Sequence, residues 1–273
     1  MAKKLYHQSE NTFRAEISTR IYGANESEVG GLHFHKNFEL LAVIKGECVC
    51  AVGGTKYCAK EGEAIFICPF QIHGFTLGEG SRVRRITFHE HLILTLSQTL
   101  DGMRPASPIF RLDSSIGELL LTKMNEFFGD GGVICGRITP QDVRMQVKGM
   151  LYLIGGDLVK KVELVQTPTA DTVVIAVAQY ISENFKEDIT LCDVAKEKGY
   201  NYQYLSRIFN RVMGMNFKKM LNLYRLEHAY ALLQDTDSSI SEICFESGFQ
   251  SIRSFNQVCR EIYGKSPKEL KRG

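Results

Sequence analysis

Net charge is nearly absent from this chain: 33 lysines and arginines stand against 31 aspartates and glutamates, leaving +2 over 273 residues. The balance persists from Asp171 to Gly273, with 14 basic and 13 acidic side chains. A blanket positive field is therefore excluded as a means of holding nucleic acid, and any such affinity has to come from where charges are placed. Arg207, Arg211, Lys218 and Lys219 cluster in one stretch, with Glu183, Glu187, Asp188 and Asp193 upstream of it. Long apolar runs are missing as well, and no stretch approaches a membrane span. The opening MAKKLYHQSENTF has no apolar core after its lysines, which argues against a signal peptide. The eight cysteines (48, 50, 58, 68, 135, 192, 244 and 259) lack the close-spaced pairs of a zinc site. They read as free thiols in a reducing cytoplasm.

What the chain has in quantity is apolar side chain, 44% of it, enough for real cores; its length suggests two domains. From Thr12 to Phe88 short β-branched and aromatic runs alternate with glycine turns. Strands are expected at Leu40–Ile44, Cys48–Val52, Lys56–Ala59, Ala64–Cys68, Gly74–Leu77 and Arg82–Phe88, arranged as a sandwich or barrel.

Within this region lies His33-Phe34-His35-Lys36-Asn37-Phe38-Glu39. On an extended backbone His33, His35 and Glu39 share one face with Leu41 and Val43, and Pro69–His73 brings a third histidine, His73, toward them. Three uses of these side chains compete. They hydrogen-bond one another and the strand ends; or they line a pocket for a polar organic effector; or three imidazoles and a carboxylate hold Fe, Mn, Ni or Zn. Only the metal use would permit enzyme chemistry, through an open coordination position. His-x-His, three residues, Glu, six residues, Gly46, and then Gly62, Pro69 and His73 resemble the cupin motifs, the first fully and the second in part. Cys48 and Cys50 share a strand face and are expected as buried thiols in the interior.

Between 91 and 170 the pattern turns helical. Asp113 or Ser114 caps a helix with the stripe Ile116, Leu119, Leu120, Met124, Phe127 and Phe128, ended by Asp130-Gly131-Gly132. A second helix starts near Pro140, with Val143, Val147, Met150, Leu151, Ile154 and Leu158 on one face. Such stripes pack on their own domain or pair two chains, and one of the two helices is expected to dimerise the protein. Gln166–Ala170 is the expected domain boundary.

After it the order reads helix, helix-turn-helix, long helix, helix-turn-helix, short helix, with Asp171 and Thr190 as caps and the long helix from about Asn216 to Gln234. In the first helix-turn-helix, 191–211, Ala195 allows close approach, Gly199 stops the first helix, and Leu205 and Phe209 face inward. Tyr202, Gln203, Ser206, Arg207, Asn210 and Arg211 carry the polar chemistry that reads base edges and phosphates. The second, 240–262, repeats the plan: Cys244, Gly248, then Phe255 and Cys259 inside, with Ser251, Ile252, Arg253, Asn256, Gln257 and Arg260 outward.

Tyr204-Leu205-Ser206-Arg207-x-Phe209, Gly214-x-x-Phe217, Arg225-Leu226-x-x-Ala229, Gly248-Phe249, Phe255 and Gly264-x-Ser266-Pro267 resemble the AraC/XylS family of transcription regulators. The resemblance implies an α+β protein of two domains: a cupin-like β-barrel with following helices, then an all-α tandem helix-turn-helix domain. Residues 1–100 would sense an effector, 101–165 form a helical dimerisation or linker region, and 166–273 bind DNA. It implies a cytoplasmic homodimer on double-stranded promoter DNA, recruiting RNA polymerase. Its effector would be a small molecule, such as a sugar, held by His33, His35, Glu39 and His73, with no catalytic residue, metal or cofactor required. The alternative is a metal-dependent cupin enzyme, or a metal or redox sensor, with an appended DNA-binding domain. Gln257 and Cys259 depart from the family, which usually has Arg and Phe there, and this lessens the contact expected from the second module.

Overall fold

The computed structural model describes residues 6–7, 15–23, 28–129, 131–135 and 140–271. It divides into two compact units, Met1–Pro168 and Thr169–Gly273.

The first unit opens with nine strands: β1 (Tyr6–His7), β2 (Ala15–Tyr22), β3 (Glu28–Phe34), β4 (Phe38–Lys45), β5 (Glu47–Val52), β6 (Thr55–Lys60), β7 (Glu63–Ile67), β8 (His73–Leu77) and β9 (Arg82–Phe88). It continues through α1 (Leu94–Thr99), β10 (Met103–Pro105), β11 (Ile109–Arg111), α2 (Ser114–Phe128), β12 (Gly131–Cys135), α3 (Gln141–Lys161) and β13 (Leu164–Gln166). One sheet runs β1-β3-β8-β5-β6 and another β11-β7-β4-β9-β2-β12, while β10 pairs with β13. The expected strands from Leu40 to Phe88 are all present.

The two sheets differ in what covers them. On β5 burial alternates, Cys48, Cys50 and Val52 inward, as expected of a sheet with one wet face. On β4 six consecutive residues from Phe38 are buried. Leu41 and Val43 join Cys48, Cys50, Phe75, Leu77 and Val83 in the barrel interior. Phe38, Leu40 and Ala42 point the other way, into a second core with Leu120, Met124, Val147, Met150, Leu151, Ile154 and Leu158. The apolar stripe of α3 and most of that of α2 are thus consumed by their own sheet, so residues 101–165 extend the barrel unit, while Leu119 of α2 stays 39% exposed.

Five short strands, β1, β10, β11, β12 and β13, lie outside the region expected to be strand. Gly131-Gly132, expected to end a helix, begins β12; α2 stops at Gly129, with φ 58°. β12 pairs antiparallel with β2 and so covers an open sheet edge.

The second unit is helical: α4 (Thr169–Asn184), α5 (Leu191–Lys198), α6 (Tyr202–Met213), α7 (Phe217–Asp235), α8 (Ile240–Glu246), α9 (Ile252–Tyr263) and α10 (Pro267–Lys271). Helix α4 begins at Thr169, so Asp171 lies in its first turn, where its charge suits the positive helix end, and does not cap it. Thr190 with Asp193 and Ser239 with Glu242 form capping boxes at the starts of α5 and α8. Helix α7 packs on α4 and α6 on one side and on α8, α9 and α10 on the other. It is the spine joining the two helix-turn-helix modules. Among the described residues no helix is long and apolar enough to cross a membrane.

Candidate functional site

His33, His35, Glu39 and His73 come together inside the barrel, although not by the route expected. A shared strand face does not unite them, because β3 ends at Phe34 and a bend at Lys36 and Asn37 precedes β4. His33 on β3 lies opposite His73 on β8. Glu39 comes from β4 of the facing sheet, and His35 from the connection between the sheets. All four are buried, none more than 2% exposed, and a ligand atom from each lies within 4.8 Å of the others.

The geometry is directional. His35 Nε2 is 3.0 Å from Glu39 Oε2, and His73 Nε2 is 3.6 Å from Oε1. The other ring nitrogens are engaged by backbone: His35 Nδ1 with the Asn37 carbonyl at 3.0 Å, and His73 Nδ1 with that of Gln71 at 2.7 Å. A carbonyl only accepts, so each Nδ1 carries a hydrogen. Burial alone would raise the Glu39 pKa, but the bonds and charges of His35 and His73 outweigh it and hold the carboxyl well below the usual carboxylate range. Thr87 Oγ1 donates to Glu39 Oε2 at 3.2 Å. Thr87 was missed in the sequence, yet it shares the inward parity of Val83 on β9 and pairs in register with Glu39.

Phe70 supports the cluster from outside. It is the only non-glycine with positive φ (63°) among the described residues, and its N–H donates to the His35 carbonyl at 2.7 Å. Cys48 and Cys50 occupy the same interior, where burial pushes both thiols up to about 12. At that value they are poor nucleophiles at neutral pH.

The second unit presents two polar helix faces. On α6, Leu205, Ile208, Phe209 and Met213 are buried, while Tyr202, Gln203, Arg207, Asn210 and Arg211 are exposed and Ser206 is half-buried. On α9, Phe255 and Cys259 are buried, while Ser251, Ile252, Arg253, Gln257 and Arg260 are exposed and Asn256 is half-buried. Four of these side chains already have local duties: Asn210 Nδ2 donates to Ser206 Oγ at 3.5 Å, the Ser251 hydroxyl caps α9, and Asn256 Nδ2 donates to the Ile252 carbonyl at 2.9 Å. Cys259 is fully enclosed beside Cys244 and Phe255.

A joint between the modules was not anticipated. Arg225 on α7 donates to the carbonyls of Phe185 and Glu187 at 2.8 and 2.7 Å. Gly248, in the turn of the second module, meets the same α4–α5 loop: a Cβ there would lie 2.7 Å from both Lys186 Cα and the Phe185 carbonyl oxygen. His228 connects the two sides, its ring 5.3 Å from that of Phe185 and its Nδ1 3.2 Å from Ser247 Oγ.

The AraC-like ligand binding domain family matches residues 17–122, and a helix-turn-helix domain family matches residues 194–273. The chain thus carries an AraC-like ligand binding domain followed by a helix-turn-helix domain. The chain is 36% identical over 93 residues to the melibiose operon regulatory protein of Escherichia coli (strain K12), covering 34% of this chain and 31% of that protein. It is 33% identical over 101 residues to an HTH-type transcriptional regulator of Staphylococcus aureus (strain MSSA476), covering 37% of this chain and 14% of the relative. It therefore spans about a third or less of the length of these curated relatives. ToxT from Vibrio cholerae O395 shares the fold, a β-rich unit followed by a helical one, with a TM-score of 0.53 and 16% identity over 94% of this chain and 97% of that one. Unsaturated fatty acid-bound ToxT of strain SCE256 gives 0.56 and 12% identity, covering 93% of this chain and 94% of that one.

Proposed function

We propose that this chain is a sequence-specific transcription regulator of the AraC family, an activator, whose grip on double-stranded promoter DNA is biased by a small-molecule effector bound among His33, His35, Glu39 and His73. The observation that carries this is the pair of exposed polar faces on α6 and α9, each backed by buried apolar residues and joined through one spine helix. Gln203, Arg207 and Asn210, with Arg253 and Asn256, face base edges; Lys218, Arg211 and Arg260 face phosphates. The effector, a polar metabolite such as a sugar, shifts affinity by a coupling of about 1–3 kcal/mol, roughly 5–150-fold. The protein works in the cytoplasm and recruits RNA polymerase. A metal-dependent enzyme with a DNA-binding tail is set aside because the named relatives are regulators.

Selection from a randomised duplex library with the full chain tests the reading. The expected result is a motif of two short elements about 34 Å, one helical turn, apart. Recovery of sequences with no common motif would end the assignment.

The protein acts as a homodimer through the outer face of α3. Met145, Tyr152 and Val159 recur there at intervals of seven and are 66%, 44% and 38% exposed, with Leu153 at 49%. Gly149 and Gly156 lie on the same helix with open space around them, so a second helix can approach closely. Sedimentation is expected to show a dimer at micromolar concentration and a monomer for Met145→Glu with Tyr152→Glu. A wild-type monomer, with and without DNA, would remove this face from consideration.

A further inference from the structure

We infer that the first residue of each recognition helix, Tyr202 on α6 and Ile252 on α9, reads a thymine through its ring methyl group. The inference rests on the reading of α6 and α9 as the helices that enter the major groove, and it names the base that the leading end of each selects.

Both residues hold the same place in their helices. Asn201 and Ser251 are the N-caps, their side chains accepting from the N–H groups of Tyr204 and Ser254, so Tyr202 and Ile252 open α6 and α9. Side chains on a helix lean toward its N-terminus, and a recognition helix meets base edges with its N-terminal residues. These two side chains therefore lead into the groove. Tyr202 is 46% exposed and Ile252 40%. A single exposed apolar side chain is ordinary on a protein surface. Here the same position is exposed on both reading helices, within faces otherwise made of residues such as Gln203, Arg207, Arg253 and Gln257. Phe245 on α8 is 58% exposed, but its counterpart three residues before the turn glycine of the first module is Lys196.

Residues four apart share a row along a helix, which puts Tyr202 with Ser206 and Asn210 on α6, and Ile252 with Asn256 and Arg260 on α9. In both rows an asparagine amide is turned onto its own helix: Asn210 Nδ2 donates to Ser206 Oγ at 3.5 Å, and Asn256 Nδ2 to the Ile252 carbonyl at 2.9 Å. The head of each row is the apolar end. The floor of the major groove offers one apolar group, the thymine methyl, and its other features are hydrogen-bond donors and acceptors. Ile252 has no polar atom in its side chain, so a base pair containing thymine is the one that gives it a favourable contact, and both apolar surfaces leave water together. The ring of Tyr202 has the same use at the other element. Gln203 and Arg253, one position further on, supply hydrogen bonds to the adjoining base pair.

The test uses the full chain and the two-element duplex enriched from the randomised library. Each thymine in turn is replaced by deoxyuridine, which removes the methyl and leaves every hydrogen-bonding group in place. One thymine in each element is expected to respond, with affinity falling about fourfold, the change expected for one buried carbon. In Ile252→Ala the response should vanish from one element, and in Tyr202→Ala from the other, the thymine and deoxyuridine duplexes then binding equally. Tyr202→Phe should keep the wild-type response, because the ring and not the hydroxyl makes the contact. The wild-type scan stands by itself should an alanine variant fold poorly. No responding thymine, a response in one element only, or a response that persists in folded forms of both alanine variants would overturn the inference. A clear motif indifferent to deoxyuridine removes thymine reading and spares the regulator. A library that yields no motif removes both.

Discussion

Replacing Gly248 by alanine is expected to destabilise the helical unit by about 2–5 kcal/mol, whereas the same change at Gly199 costs about 1–2 kcal/mol. Gly248 follows the Ser247 cap of α8 and Gly199 caps α5, each at the turn of a helix-turn-helix, and both have positive φ, 82° and 70°. An L side chain in that conformation accounts for the cost they share. Space separates them. A Cβ at Gly199 meets nothing within 4 Å, but one at Gly248 would lie 2.7 Å from Lys186 Cα and the Phe185 carbonyl oxygen, and 2.8 Å from the Lys186 carbonyl oxygen. These are backbone atoms, and Arg225 holds the same loop through the carbonyls of Phe185 and Glu187, so the loop cannot yield cheaply. The turn must move instead, and with it the setting of α9 relative to α6. Calorimetric melting of the full chain should show the helical transition lowered by on the order of 10 °C or more for Gly248→Ala. Affinity for a two-element duplex should fall further than affinity for a single element. Equal melting shifts for the two alanine variants would show that the close approach has no energetic weight.

Arg207→Ala is expected to lower specific DNA affinity at least tenfold without changing the melting temperature. Arg207 is exposed on α6, opposite the buried Leu205 and Phe209, and no hydrogen bond or ion pair holds it among the described residues. Its truncation therefore removes a DNA contact and little else. A bidentate arginine–guanine contact contributes about 1–3 kcal/mol of discrimination, and about 1.4 kcal/mol is a factor of ten. Asn256→Ala should do less, because its amide already donates to the Ile252 carbonyl and that bond has to be given up before a base is reached. Fluorescence anisotropy against the selected duplex and a scrambled one measures both. Unchanged discrimination in Arg207→Ala would show that α6 does not read bases through this residue.

The helical unit was legible in the sequence almost to the residue, because its signals are local. Thr190 announces a helix start, and Leu205 with Phe209 announce a buried face within one turn. From β4 to β9 the barrel was legible strand by strand for the same reason, through alternation such as that of Cys48, Cys50 and Val52. β12 was not, because Gly131 and Gly132 resemble a helix terminator and become strand only by pairing with β2.

The order of the helices from α4 to α10, the Thr190 cap, the polar faces of α6 and α9, and the identity of the four cluster residues were all determined by the sequence alone. Each depends on neighbours a few positions away. Only the tertiary structure decided that β4 is buried on both sides and that His33 and His73 face each other across a strand pair. It alone placed the Glu39 carboxylate against two imidazole rings and pressed Gly248 onto the loop at Lys186. The reason is physical: periodicity and capping are set by the geometry of a single strand or helix, whereas these contacts depend on how distant segments pair and pack.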